Sequence, residues 1–162
     1  MATLYILCGL PYSGKSLFSK KIENATSIKR VSFDEGYEEL SKSIKDITYD
    51  IARLEIEREL ARNLEKGISV VYDSTNLSEA GREMLINVAV NSKACAEIIY
   101  LDVPFAEIYK RKDQSLIDKT HQNDMSNNDI EAAIKRFEIP TDCIIISTEE
   151  DKDNFIKNIF VS

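Results

Sequence analysis

The chain has 162 residues, 43% of them hydrophobic, enough to bury one core of ordinary size, and its length fits one domain spanning residues 1–162. Its formal net charge of −7 disfavours a protein that wraps long nucleic acid, because such binding rests on neutralising many phosphates. No apolar run of roughly 18 residues occurs and no basic-then-apolar leader opens the sequence, so no membrane contact and a cytoplasmic location are expected.

The first apolar run, Thr3 to Cys8, leads directly into Gly9, Leu10, Pro11, Tyr12, Ser13, Gly14, Lys15 and Ser16, which match G-x-x-x-x-G-K-[ST] at every fixed position. Leu17, Phe18 and Ile22 continue as a helix face, so the motif has the strand before it and the helix after it that its chemistry requires. A loop between two glycines curls backbone N–H groups around phosphate oxygens while the following helix turns its positive end to the anion. Residues 9–17 therefore form the expected nucleotide-binding segment, with Lys15 reaching the β and γ phosphates of ATP and the Ser16 hydroxyl ligating Mg²⁺.

Further strand-like runs lie at Ile28 to Phe33, Ile68 to Tyr72, Cys95 to Leu101 and Cys143 to Ser147, separated by helical patterns, which reads as a parallel sheet with crossover helices. From about Glu38 to Lys66, apolar residues recur at three- and four-residue steps and stop at Gly67, predicting one long helix or two with a break. Ser78 opens a helix to about Asn91, and Pro104 fits the first turn of one running to about Lys112. Residues 113–128 lack a sustained apolar period and read as a mobile segment or short helices over the site, so a lid is expected at about 110–128. Helix returns at Ile130 to Phe137 and closes the chain at Asp151 to Ile159. Cys8, Cys95 and Cys143 sit in strand-like runs without metal-ligand spacing and are expected to be reduced, buried thiols; His121, the one histidine, is expected to be exposed and not catalytic.

Ligands of open parallel sheets gather outside the carboxyl ends of strands, which places Asp34, after the second strand, where a carboxylate can orient an acceptor hydroxyl and take its proton. A simple turn cap is the plain alternative for Asp34. The third strand ends in Asp73-Ser74-Thr75-Asn76; Asp73 suits the Mg²⁺ shell, and Thr75 and Asn76 can hydrogen-bond phosphates or acceptor, or serve only as turn formers. Among Lys110, Arg111 and Lys112, Arg111 is the candidate cation to close over the γ-phosphate, against a role in merely complementing a helix end.

On Gly9 to Ser16, Val31 to Asp34, Val70 to Leu77 with Arg82, and Arg136 to Pro140, the chain resembles the P-loop kinase group that contains polynucleotide 5′-hydroxyl kinases, zeta toxins and chloramphenicol phosphotransferases. The resemblance implies an α/β P-loop NTPase fold with a five-stranded sheet in the order 2-3-1-4-5 and helices on both faces. It implies an ATP-dependent kinase acting on a hydroxyl, with Thr75, Asn76 and Arg82 near the acceptor and Arg111 in the lid. The group often carries a second lid arginine; here Lys112 and Lys119 follow, and lysine has no planar fork. The acceptor is left open between a short nucleic-acid end and a small molecule or nucleotide sugar, and a nucleotide-dependent regulatory ATPase is the rival class. The GTPase base-recognition pattern Asn-Lys-x-Asp is absent.

Overall fold

The computed structural model describes residues 1–118 and 125–160; His121 and Lys119 lie outside the described residues, as does the centre of the expected lid. Five parallel strands form one sheet in the order β2-β3-β1-β4-β5, with β1 at Thr3–Cys8, β2 at Lys29–Ser32, β3 at Val70–Asp73, β4 at Cys95–Leu101 and β5 at Ile144–Ile146. The expected order and helix-covered faces are thus present.

Alternation along the strands assigns the two faces. Leu4, Ile6, Val70 and Tyr72 point to one side and pack on Ala52, Ile56 and Leu60 of helix α3 (Tyr49–Glu65) and on Leu85 and Ala89 of α4 (Glu79–Asn91). Leu7, Val71, Ile99, Leu101 and Ile146 point to the other and meet Phe18 and Ile22 of α1 (Lys15–Ala25) and Phe155 of α7 (Glu149–Phe160). A third cluster lies off the sheet, where Leu10 and Tyr12 join Ile108 of α5 (Phe105–Asp118) and Ile130 and Ala133 of α6 (Asn127–Arg136).

Several boundaries differ from the sequence expectation for identifiable reasons. Helix α2 spans Phe33–Ser43 and starts directly at the end of β2, because Ser32 accepts the Glu35 N–H and caps it. Asp34 therefore lies in a first helical turn rather than at a strand tip. The apolar pattern from 38 to 66 is two helices, broken where Asp46 adopts φ 56° and Thr48 caps α3 through the Ile51 N–H. Helix α5 runs on to Asp118, six residues past Lys112, so the segment from 113 to 118 is regular helix. Its buried positions there, Lys112 and Ser115, are polar, and that hid the period.

Candidate functional site

The loop between β1 and α1 is shaped by its glycines. At Gly9, φ is 153°, and a Cβ would stand 3.0 Å from both the Leu101 carbonyl and Ser13 Oγ, so only glycine lets the loop pass this close to β4. Gly14 has φ 92° at the N-cap of α1, where no side chain caps the helix and no acid enters the first turn. Two other helices that start at this rim, α2 and α4, are capped by Ser32 and Ser78. The exposed amides of α1 are thereby left for an external anion, and the helix dipole favours one.

Lys15 is 7% exposed and curls over the loop, its Nζ donating to the Leu10 carbonyl at 2.6 Å and to Ser13 Oγ at 3.1 Å. Burial pulls its ammonium from 10.5 down to about 8, with Asp73 opposing the shift. Asp73, the last residue of β3, pairs in register with Ser32 and is 5% exposed. Its two oxygens have different duties. Oδ1 faces the Ser16 hydroxyl at 3.4 Å, whereas Oδ2 accepts from Ser19 Oγ at 3.0 Å and from Arg30 Nη2 at 2.7 Å.

That set of hard oxygens fits Mg²⁺. Among the described residues no group of three or more His, Cys, Asp and Glu side chains gathers to cage a metal, and a nucleotide-borne Mg²⁺ needs only one or two protein oxygens beside phosphates and waters. Ser16 Oγ and Asp73 Oδ1, 3.4 Å apart, are two such oxygens.

Cations converge on the loop from outside the sheet. Arg111, in α5, donates from Nη1 to the Ser13 carbonyl at 3.2 Å and the Tyr12 carbonyl at 3.4 Å, and from Nε to Glu107 at 2.9 Å. Its Nη1 and the Nζ of Lys152, in α7, stand 3.6 and 3.8 Å from where a Cβ on Gly14 would be. Lys152 was not among the sequence candidates; a Lys in an amphipathic helix far down the chain carries no local signal. Lys112, the cation after Arg111, is buried and donates to Asn127 Oδ1 at 2.7 Å, so it braces α5 against α6.

The acceptor-side candidates divide. Asp34 is exposed at the N-terminus of α2, and its charge acts on Lys15. Thr75 is partly exposed, and its carbonyl accepts the Gly9 N–H at 3.2 Å, which ties the β3 turn to the phosphate loop. Asn76, at φ 48°, turns its Nδ2 inward to the Leu7 carbonyl at 2.6 Å. Arg82, expected near the acceptor, is 3% exposed and spends its guanidinium on backbone: Nη1 reaches the carbonyls of Asn76 and Leu77 at 2.9 and 3.0 Å, and Nη2 that of Glu138 at 2.7 Å. The structure places it beneath the turn, as a staple between residues 76–77 and the chain leading to β5. Leu17 projects from α1 with 77% exposure.

The thiols correct one expectation. All three cysteines are free, but only Cys8 is buried; Cys143 is half-buried and Cys95 is exposed, because it opens β4 at the rim opposite the loop. Burial pushes the Cys8 thiol up to about 11, so it stays protonated under Arg82. No helix among the described residues is long and apolar enough to cross a membrane.

Comparison with known proteins bears on this arrangement. The family described as Chromatin associated protein KTI12 matches residues 1–144. No curated protein matches the chain in sequence. Among solved structures, Chaetomium thermophilum Kti12 in complex with ADP-AlF3 superposes with a TM-score of 0.76 at 16% identity, covering 98% of this chain and 97% of that one. The Mycobacterium tuberculosis APS kinase CysC in complex with AMPPNP and APS gives 0.68 at 15% identity, over 98% and 95% of the two chains. A chain of the Pnkp1/Rnl/Hen1 RNA repair complex gives 0.68 at 24% identity, over 83% of this chain and 43% of its own. The shared fold is that of P-loop kinases.

Proposed function

Because the chain belongs to the KTI12 family and its loop follows the phosphate-binding pattern, we propose that it binds ATP on residues 9–17 and transfers the γ-phosphoryl group to a hydroxyl acceptor. The observation that carries the reading is the geometry around Lys15: a buried ammonium, an uncapped helix N-terminus and the Ser16–Asp73 pair meet at one loop. Neighbours of the same fold held ADP-AlF3 and AMPPNP, which supports a nucleotide at the equivalent place.

In this reading the loop amides and Lys15 hold the phosphates, and Lys15 exchanges its bonds to Leu10 and Ser13 for phosphate oxygens. Ser16 and Asp73 would hold a nucleotide-borne Mg²⁺, which when bound would supply charge neutralisation for the transfer. Asp34 accepts the proton as the acceptor oxygen attacks the γ-phosphorus, the bond from that phosphorus to the bridging oxygen breaks, and ADP leaves. Arg111 moves from loop carbonyls to the developing charge. Catalysis here is mainly positioning and charge stabilisation. The acceptor assigned is a hydroxyl at a nucleic-acid end gripped over a few phosphates, in keeping with the net charge of −7.

A second reading, a nucleotide-dependent regulatory ATPase, is favoured by one observation: Asn76 and Arg82 point into backbone, which leaves Asp34 and Thr75 to face an acceptor. Measuring ATP consumption alone and with 5′-hydroxyl oligonucleotides, nucleosides and small sugars separates the readings. Acceptor-dependent ADP release with labelled product supports the kinase; equal ADP release with and without every acceptor supports the ATPase; binding with no turnover refutes both.

A further inference from the structure

Arg30, on β2, reaches three other elements with one guanidinium. Its Nη2 donates to Asp73 Oδ2 on β3 at 2.7 Å, its Nε to Ser19 Oγ on α1 at 2.8 Å and its Nη1 to Glu35 Oε2 on α2 at 2.7 Å. The side chains of Arg30 and Asp73 are 6% and 4% exposed, so this ion pair is shielded from water. A plain surface pairing of charges would not need this geometry, since exposed pairs are worth little.

The consequence falls on the carboxylate. A carboxyl group rotates about its Cβ–Cγ bond unless one oxygen is held, and here two donors hold Oδ2 from the same side. Oδ1 is thereby left pointing at Ser16. The third arm, to Glu35, fixes the residue next to Asp34 in the first turn of α2. We propose that Arg30 is a positioning residue: it orients Asp73 so that Oδ1 and the Ser16 hydroxyl form one seat for the nucleotide-borne divalent cation. The inference rests on the nucleotide-binding reading above, and Arg30 itself lies outside the loop.

Partners that orient a metal-binding carboxylate are worth ten- to a hundredfold in metal affinity or activity. The test measures binding of a non-hydrolysable ATP analogue by calorimetry, with EDTA and then across a Mg²⁺ series, for the parent chain, Arg30→Met and Arg30→Lys. The parent should bind in EDTA and bind more tightly with Mg²⁺. In Arg30→Met the EDTA affinity should stay within about threefold while the Mg²⁺ concentration at half-effect rises at least about tenfold. Arg30→Lys should fall between the two, because an ammonium meets Asp73 at one point and lacks the planar fork. An unchanged Mg²⁺ midpoint in a folded variant overturns the proposal, as does an equal loss of affinity in EDTA and in Mg²⁺, which marks a purely structural role. Removing one partner of a buried ion pair is strongly destabilising, so if Arg30→Met does not fold, the same criteria apply to Arg30→Lys. A parent chain that binds no nucleotide sinks the nucleotide reading instead.

Discussion

Replacing Lys15 with methionine should make the nucleotide-free protein respond differently to pH. Burial lowers the Lys15 ammonium from 10.5 to about 8, so the folded chain gives up this proton while the unfolded chain still keeps it. Between about pH 8 and pH 10.5 the unfolded state binds more protons, and stability therefore rises with pH through that window. Below pH 8 the native state carries a buried charge at a cost of about 3 kcal/mol, taking roughly 1.4 kcal/mol per tenfold change in proton affinity. Groups remote from Lys15 contribute equally to both proteins and cancel. Methionine keeps the straight side chain but loses the bonds to the Leu10 carbonyl and Ser13 Oγ, about 1 kcal/mol each at every pH. The difference in stability between variant and parent thus has a constant part and a part that titrates. Urea unfolding at pH 7 and at pH 10 should show the variant losing about 2 kcal/mol relative to the parent as pH rises. Parallel stability curves, with a constant difference across that range, would refute the reasoning and show that the ammonium is hydrated in the folded chain.

Asp34→Asn should lower acceptor-dependent transfer at least about a hundredfold with nucleotide affinity little changed, measured by single-turnover kinetics and calorimetry; collapse of ATP binding would make Asp34 a metal or structural residue. Arg111→Ala should reduce transfer much more than nucleotide affinity, because a closing cation acts on transition-state charge; equal losses in both would make it an anchor for bound ATP. Arg82→Met should destabilise the fold by about 3 kcal/mol, since the carbonyls of Asn76, Leu77 and Glu138 lose a charged donor. Thermal unfolding reads that loss, and a variant as stable as the parent yet unable to turn over would return Arg82 to the acceptor.

The phosphate loop was legible because it is local: its glycines, Lys15 and Ser16 are contiguous, and the strand and helix around them show clean apolar periods. The strand order followed from the resemblance, since a pattern of alternating strands and helices allows several orders. What escaped was fixed by register. Arg30 meets Asp73 because β2 pairs with β3 so that Ser32 lies beside Asp73, and nothing within either strand announces that pairing. Lys152 reaches Gly14 only after α7 packs on α1 through Phe155 and Phe18. Arg82 stood near the acceptor only through the resemblance; its burial depends on the Glu138 carbonyl, 56 residues away, as well as on the nearby carbonyls of Asn76 and Leu77. The end of α5 was hidden by buried polar residues, which a hydrophobic period does not count.

The third cluster makes the phosphate loop part of a core that does not belong to the sheet. Leu10 and Tyr12 share it with Ile108, Ile130 and Ala133, and the Tyr12 hydroxyl also accepts the Met125 N–H at 3.2 Å. Tyr12 holds φ 61° to make that contact, a conformation that survives only while its neighbours enforce it. The shared cluster predicts that undocking of α6 and loosening of the loop are one cooperative opening rather than two. A ligand that binds only the closed loop raises the free energy of that opening by its own saturation, about 2.7 kcal/mol at a hundredfold excess over Kd. Occupancy at Gly14 should in this way stiffen residues 127–136, although no side chain of α6 touches the phosphate seat through a hydrogen bond among the described residues.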